Sequence, residues 1–229
     1  MDRTAMVEPV PVLATPAKKE SPVSVDAPAE KANAAVPSAP VVQDNRTRLN
    51  QLYLKVRQCQ RCGLSRQRTK LVFGSGNPNA TIMLVGEAPG FHEDQNGKPF
   101  VGDAGRLLDK ILSAIQLNRD QVFITNVVKC RPPDNRDPLP EETDACFFML
   151  QQQIDIVKPK YILILGRIAA HVVLKTDKTL AQLRGQVFDA FGAKSIVTYH
   201  PAALLRNESL KRDAWADVQL FQKLFKANG

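Results

Sequence analysis

Hydrophobic residues follow two different patterns along this chain, and the patterns alternate from about residue 46 onward. Four short runs are continuously apolar and rich in β-branched residues, as is typical of strands buried on both faces. These runs cover residues 81–85, 122–128, 161–165 and 195–199. The segments between and after them carry apolar residues at helical spacing, which predicts helices at 105–117, 141–157, 167–174 and about 210–226.

The alternation of strands and helices predicts an α/β fold. We expect three α/β/α layers built on a central four-stranded parallel sheet. In sheets of this kind, ligands bind beyond the carboxyl ends of the strands. Functional side chains are therefore expected directly after the predicted strands.

The first 45 residues have a different composition. They are rich in Ala, Pro and Val, they contain no aromatic residue, and they follow neither periodicity. Such a segment cannot bury enough apolar surface to offset its conformational entropy, which predicts a disordered tail at 1–45 and a folded domain at 46–229. The tail lacks the apolar core of a secretory signal, and its six acidic residues are unlike a mitochondrial presequence. No apolar run approaches the roughly 18 residues of a membrane span, so no membrane partner is expected.

Charge is concentrated in the predicted domain. The whole chain carries a net charge of +8, and residues 1–45 contribute −2 through four basic and six acidic side chains, which leaves +10 on residues 46–229. A strongly basic domain favours a polyanionic partner, because neutralising phosphates releases their counterions. Charge alone is equally compatible with a generally soluble surface, so a nucleic-acid partner requires support from a site.

Polar and aromatic residues follow the predicted strands. Glu87, Glu93 and Phe100 come after the first strand, Asn126 lies within the second, and His200 ends the fourth. These groups suit a planar heterocycle, since an amide can read its edge, an aromatic ring can stack on its face and a histidine can bond an oxygen that gains negative charge. Taken singly, Asn126 could cap a turn and Phe100 could be core; the joint pattern favours a binding site.

The four cysteines point to a metal or redox site rather than to disulfides, because the chain has no secretory signal. Cys59 and Cys62 form a CxxC pair, Cys130 follows the second strand, and Cys146 lies in a predicted helix. Four thiolates can bind either a tetrahedral zinc ion or an iron–sulfur cluster. Chemistry alone leaves both open, together with a pair of buried free cysteines.

The motifs after the strands resemble those of the family 4 uracil-DNA glycosylases. They read Gly-Glu-Ala-Pro-Gly at 86–90, Gly-Lys-Pro-Phe-Val-Gly at 97–102, Ile-Thr-Asn at 124–126 and His-Pro-Ala-Ala-Leu-Leu-Arg at 200–206. The resemblance extends over residues 46–229 and excludes the tail. It implies an enzyme of base excision repair that flips uracil out of DNA and hydrolyses its N-glycosidic bond.

The resemblance also implies a role for each candidate residue. Phe100 would stack on the flipped uracil, Asn126 would hydrogen-bond its polar edge, and His200 would stabilise its O2 as the bond breaks. Glu87 would lie near C1′ of the sugar, where it positions water or stabilises positive charge. Glu93 would crowd the 5-position of the base and help to exclude thymine.

Further implications concern the DNA and the cysteines. The segment that enters the DNA would contain Pro201, Ala202, Leu204, Leu205 and Arg206. The cysteine spacing matches that of the family's ligands for a structural [4Fe–4S] cluster, here Cys59, Cys62, Cys130 and Cys146. The expected protein is a cytoplasmic, bacterial monomer that acts on single- or double-stranded uracil-containing DNA, with a tail available to tether another repair protein.

Two rival interpretations are weaker. A related group in the superfamily cross-links to uracil DNA through a histidine in an Arg-rich insertion near the third cysteine, but residues 129–136 contain neither histidine nor insertion. A non-catalytic, metal-containing module that binds nucleic acid would satisfy the composition, charge and cysteines. The joint presence of Glu87, Phe100, Asn126 and His200 argues against it.

Overall fold

A computed structural model of the chain describes residues 44–227. The predicted disordered tail lies outside the described residues except for its last two. There the Asp44 side chain accepts a hydrogen bond from the backbone N–H of Thr47 at 2.9 Å and caps helix α1, Asn45–Val56. Leu49, Leu52 and Val56 are buried on one face of this helix, as their spacing requires.

The centre of the fold is a six-stranded mixed sheet. Its strands are β1 Ser75–Gly76, β2 Ile82–Gly86, β3 Val122–Asn126, β4 Tyr161–Leu165, β5 Val187–Ala190 and β6 Ala193–Thr198. They are arranged in the order β1-β3-β2-β4-β6-β5. The four predicted strands are confirmed as the parallel centre, β3-β2-β4-β6.

The predicted number of four strands was wrong, because β1 and β5 add an antiparallel strand at each edge. Neither edge strand produces the continuous apolar run by which the central strands were identified. β1 has only two residues, and three of the four positions of β5 are exposed or half-buried. An edge strand buries little side-chain surface, so its sequence carries little hydrophobic signal.

Helices cover both faces of the sheet, as the three-layer prediction requires. After α1, the helices are α2 Phe91–Asn96, α3 Asp103–Ala114, α4 Pro140–Val157, α5 Arg167–Leu174, α6 Leu180–Leu183, α7 Pro201–Arg206 and α8 Lys211–Lys226. Met83 and Val85 of β2 pack in one core cluster with α1, α4 and α5, whereas Ile82 and Leu84 pack in a second cluster with α3 and α8. The four predicted helices correspond to α3, α4, α5 and α8, with ends that differ by at most three residues.

The strand register brings the carboxyl ends of the parallel strands to one rim. Gly86 of β2 is paired with Asn126 of β3, and Leu165 of β4 is paired with Thr198 of β6. The residues that follow these strands therefore meet at a single edge of the sheet. Within residues 44–227, no helix is both long enough and apolar enough to cross a membrane.

Candidate active site

A cavity of about 340 Å³ opens at the carboxyl rim of the sheet. Its walls come from the segments after β2, β3 and β6 and from the loop before α4. The cavity brings together every residue predicted to contact the base or the sugar, together with two residues of the predicted DNA segment: Glu87, Glu93, Phe100, Asn126, His200, Ala202 and Arg206.

Asn126 carries an unpaired polar atom. Its side chain is 2% exposed, and among the described residues its Oδ1 is the one buried side-chain nitrogen or oxygen without a hydrogen-bond partner. Gly86 leaves space for it, since a Cβ there would overlap Asn126 Oδ1 and lie 2.7 Å from Phe100 Cζ. An unpaired buried acceptor costs about 1–3 kcal/mol. The amide is therefore set to receive a donor from a ligand.

Phe100 is fixed by its backbone. It is 4% exposed and adopts φ of 54°, a left-handed conformation that is unusual for a bulky side chain. Arg119 donates to the carbonyl oxygens of Phe100 and, at 3.2 Å, of Pro99, while Gly105 lets the Phe100 carbonyl approach closely. The ring stacks on His200 with centroids 5.4 Å apart and an interplanar angle of 29°. Its face is thus presented beside the imidazole.

Glu93 connects two loops of the cavity. Its Oε1 accepts hydrogen bonds from the backbone N–H groups of Val101 at 2.7 Å and Gly102 at 2.9 Å, and its Oε2 accepts one from Gly90 at 3.2 Å. These bonds set the course of the chain on both sides of Phe100. The sequence resemblance does not indicate this backbone role, which depends on how α2 packs.

His200 is held in a defined tautomer at the start of α7. Its Nδ1 accepts a hydrogen bond from the backbone N–H of Ala202 at 3.2 Å. Burial, aided by the charge of Arg206 and opposed by Glu93, lowers the pKa of His200 to about 4. The ring is therefore neutral at pH 7 and its proton is on Nε2, which leaves one N–H donor for a ligand.

The pKa of Glu87 is shifted in the opposite direction from that of His200. Burial and the nearby charge of Asp137 raise the pKa of the Glu87 carboxyl to about 7, against the effect of Arg167 and Arg206. Asp137 itself pairs with Arg167 at 2.6 Å. A carboxyl that titrates near neutral pH inside a cavity is typical of acid–base or charge-stabilising sites.

The loop before α4 was missed as part of the cavity wall. It contributes Pro132, Asn135, Arg136 and Asp137. Arg136 is fixed by two hydrogen bonds to Glu142, at 2.7 and 2.8 Å. Pro132 closely follows the second predicted strand, whereas Asn135, Arg136 and Asp137 reach the cavity through the path of the loop, which no local sequence pattern indicates.

The predicted DNA segment forms α7, and its side chains divide between surface and interior. Leu205 is 47% exposed and Arg206 is also exposed, whereas Leu204 is 2% exposed and Pro201 is buried. Ala202 is half-buried and lines the cavity. The structure therefore presents Leu205 and Arg206 to a partner and places Pro201 and Leu204 in the interior.

The four cysteines are free and pack against one core cluster. Cys130 and Cys146 are buried, and burial raises the pKa of the Cys146 thiol to about 11, with further contributions from Cys130 and Cys62. Burial also raises the pKa of Cys130, which in addition interacts with Cys59 and Cys62. The four thiols are thus close enough to influence one another.

Two N–H groups donate to these sulfur atoms. Arg68 donates to Cys130 Sγ at 3.2 Å, and the backbone N–H of Lys129 donates to Cys146 Sγ at 3.3 Å. An all-thiol set with such donors fits the chemistry of a thiolate-bound metal centre. In residues 44–227, however, no group of three or more His, Cys, Asp or Glu side chains has metal-binding geometry. The ligand set therefore stays a prediction.

Comparisons with known proteins identify the family of the chain. Residues 73–221 match the family model of the uracil DNA glycosylase superfamily. The chain is 40% identical to the type-4 uracil-DNA glycosylase of Archaeoglobus fulgidus, over 77% of this chain and 92% of the relative. It is 42% identical to that of Thermotoga maritima, over 76% and 93%, and 44% identical to that of Sulfurisphaera tokodaii, over 77% and 84%. The chain belongs to the uracil-DNA glycosylase superfamily and, within it, to the type-4 enzymes.

Proposed function

We propose that the chain removes uracil from DNA by hydrolysing the bond between the base and C1′ of its sugar, which starts base excision repair. The observation that carries this proposal is the unpaired Oδ1 of Asn126, buried in a cavity beside Phe100 and a neutral His200. Uracil offers an N3–H donor to that oxygen, an O4 acceptor to the amide N–H, and an O2 acceptor to His200.

Base release then depends on charge stabilisation. Uracil must first leave the stack, at a cost of a few kcal/mol. As the bond to C1′ breaks, the electron pair goes to the base, and the negative charge on its O2 is stabilised by the Nε2–H of His200. The sugar becomes cationic, and the Glu87 carboxylate stabilises it and orients the water. The water oxygen bonds to C1′, and the proton it loses is accepted by Glu87.

The remaining side chains give selectivity and hold the DNA. We propose that Phe100 stacks on uracil and that Glu93, fixed by three backbone N–H groups, crowds the 5-position of the base. Leu205 and Arg206 of the segment 201–206 enter the DNA and hold the base out of the stack. The charge of +8 on the whole chain favours either single- or double-stranded DNA.

We propose that Cys59, Cys62, Cys130 and Cys146 bind a [4Fe–4S] cluster. The free thiols, the two N–H donors to sulfur and the family resemblance support this ligand set. When bound, the cluster fastens α1 and the loop 131–138 to the sheet and takes no part in base release. The purified protein should be coloured and contain iron and acid-labile sulfide in equal amounts. A colourless protein with stoichiometric zinc would contradict the assignment.

We further propose a monomer that acts in the cytoplasm, where prokaryotic DNA lies. The monomer follows from the family resemblance, and the elution volume of the purified protein on a sizing column tests it. Residues 1–45 would tether another repair protein.

The function is tested with an end-labelled single strand that contains one uracil. After incubation and hot alkali, we expect a break at the uracil position and none in a strand with thymine. DNA binding without an alkali-labile site would instead support a non-catalytic module, which the names of the relatives do not favour.

A further inference from the structure

An exposed aromatic side chain lies next to the cavity and is unused by the reaction. Phe91 is 52% exposed, although it directly follows Gly90, which lines the cavity. The guanidinium of Arg131 lies over its ring, 5.2 Å from the centroid, and the ring of His92 meets it edge-on at 5.6 Å. Arg131 covers one face of the Phe91 ring, and the exposed fraction of the side chain leaves other ring surface open to a partner.

Arg131 is held by a residue that lines the cavity. Its Nε–H donates to Asn135 Oδ1 at 2.8 Å, and Asn135 lines the cavity, as does Pro132, the next residue after Arg131. Both members of the Phe91–Arg131 pair are therefore chain neighbours of cavity-lining residues. The pair borders the cavity mouth and is ordered in advance of binding, which lowers the entropy cost of using it.

We propose that Phe91 and Arg131 form a stacking platform for the nucleobase next to the flipped uracil in single-stranded DNA. The proposal rests on the proposed function, because the uracil in the cavity sets where its neighbour lies. Every nucleobase has a flat π-face that stacks on an aromatic ring, and an arginine beside the ring attracts the adjoining phosphate.

The surroundings favour a nucleobase over an apolar protein segment. The guanidinium of Arg131 lies over the ring and puts a positive charge beside it, which suits a base attached to a phosphate better than an apolar segment. An unpaired neighbour in a single strand is free to stack on Phe91. In a duplex the same base is paired and stacked on its own neighbours, so using the platform would require breaking those contacts.

The test measures single-turnover uracil release against enzyme concentration for Phe91→Ala, Phe91→Leu and Phe91→Tyr. On a single strand, Phe91→Ala should raise the half-saturating concentration roughly tenfold, as the loss of one stacked base does. The maximal rate should change little, because Phe91 touches no reacting atom. Phe91→Tyr should retain tight binding, whereas Phe91→Leu, which is apolar but not flat, should not. A U:G duplex should respond much less.

The matched control is Phe191→Ala. Phe191 is also an exposed phenylalanine, at 38%, but it lies in the turn between β5 and β6 at the opposite end of the sheet. This variant should bind both substrates as the parent does.

A second measurement identifies the partner directly. Replacing the nucleobase on each side of the uracil in turn by an abasic linker should weaken binding to the parent roughly tenfold at one position. It should leave Phe91→Ala unaffected there, since the stacking partner is already missing. In a Trp215→Phe background, Phe91→Trp should lose fluorescence when uracil-free single-stranded DNA is added.

The outcomes separate the two proposals. Two results would overturn the platform and leave the proposed uracil release intact. One is the same half-saturating concentration for the parent and for Phe91→Ala. The other is an equal loss of binding in these two proteins at every abasic position. An equal loss on single strand and duplex would also overturn it. Absence of uracil release by the parent would overturn the proposed function instead.

Discussion

Two consecutive residues of β3 have contrasting surroundings on the two sides of the sheet. The hydroxyl of Thr125 lies 3.1 Å from the carbonyl oxygen of Phe73, 3.0 Å from Gln153 Oε1 and 2.6 Å from Lys129 Nζ. The Oδ1 of its neighbour Asn126 has no partner. Both side chains are almost fully buried, at 0% and 2% exposed.

Lys129 belongs to the same buried hydrogen-bond network as Thr125. Its side chain is fully buried, and Nζ contacts Thr125 Oγ1 and the Asn126 carbonyl oxygen, both at 2.6 Å, and Gln153 Oε1 at 2.7 Å. Three acceptors match the three N–H groups of an ammonium, although burial lowers the pKa of Lys129 to about 7. A buried polar group with all its partners supports the fold, whereas one without a partner marks a place for a ligand.

The largest effect is expected where the partner is missing. Asn126→Ala should slow uracil release by about 100- to 1,000-fold, as the loss of a key hydrogen-bonding group in an active site does. Stability should change little, because the substitution removes an acceptor that is unpaired without ligand. Single-turnover assays and urea unfolding measure the two effects. An Asn126→Ala variant that is less stable than the parent but releases uracil at the parent's rate would contradict both expectations.

Glu87 lies in the same cavity, and its ionisation should control the rate. Because the raised pKa of about 7 keeps part of the carboxyl protonated at neutral pH, release should increase as the pH rises through 7. Glu87→Gln should lose this pH dependence and, at pH 8, react roughly 100-fold more slowly. The measurement is the single-turnover rate between pH 5 and 9. A Gln variant with an unchanged profile would assign the titration to another group.

Stability provides the second half of this prediction. A carboxyl whose pKa is higher in the folded state than its ordinary value of 4.5 favours folding when protonated. Its contribution is full below pH 4.5 and is lost as the pH rises through about 7. Glu87→Gln should therefore gain stability relative to the parent above pH 7, measured by urea unfolding at pH 5 and pH 8.

A substitution in the buried hydrogen-bond network of Thr125, Lys129 and Gln153 should affect stability. Lys129→Met keeps the length of the side chain but removes the Lys129 donor from the Asn126 carbonyl oxygen and from Gln153 Oε1, which retains only the Thr125 hydroxyl. We expect a loss of about 2–3 kcal/mol in the free energy of unfolding, measured in urea. Lys110→Met is the control, because Lys110 is exposed on α3 and should cost little. Equal unfolding midpoints for the two variants would contradict the supporting role of the network.

The same contrast explains what the sequence could predict. The four central strands were predictable because each is buried on both faces over most of its length and so contains a mainly apolar run. The meeting of Glu87, Asn126 and His200 then followed from the rule that parallel strands end at one rim. The exposed edge strands β1 and β5 have no such pattern and were missed.

Side chains defined by long-range contacts could not be predicted. A lysine between two valines and a cysteine, as Lys129 is, has no local feature that distinguishes burial from exposure. Its position depends on Gln153, which comes from α4. Arg136 and Asp137 reach the cavity through a loop in which Asp134 and Asn135 both have positive φ, at 52° and 55°. Such a path is set by packing rather than by periodicity.

The smallest expected effect concerns Asp137, which lines the cavity and does not touch the base in the proposed mechanism. Its charge raises the pKa of Glu87, but burial is the larger cause, so Asp137→Asn should lower that pKa without restoring it to 4.5. The substitution also frees Arg167 from its ion pair with Asp137. The positive charge of Arg167 lowers the pKa of Glu87, so both consequences of the substitution lower that pKa. The rising limb of release should therefore move to lower pH while the plateau rate stays close to that of the parent. A limb that stays in place would show that burial alone holds the pKa of Glu87 near 7. A limb that moves to higher pH would contradict the assigned sign of the Asp137 effect.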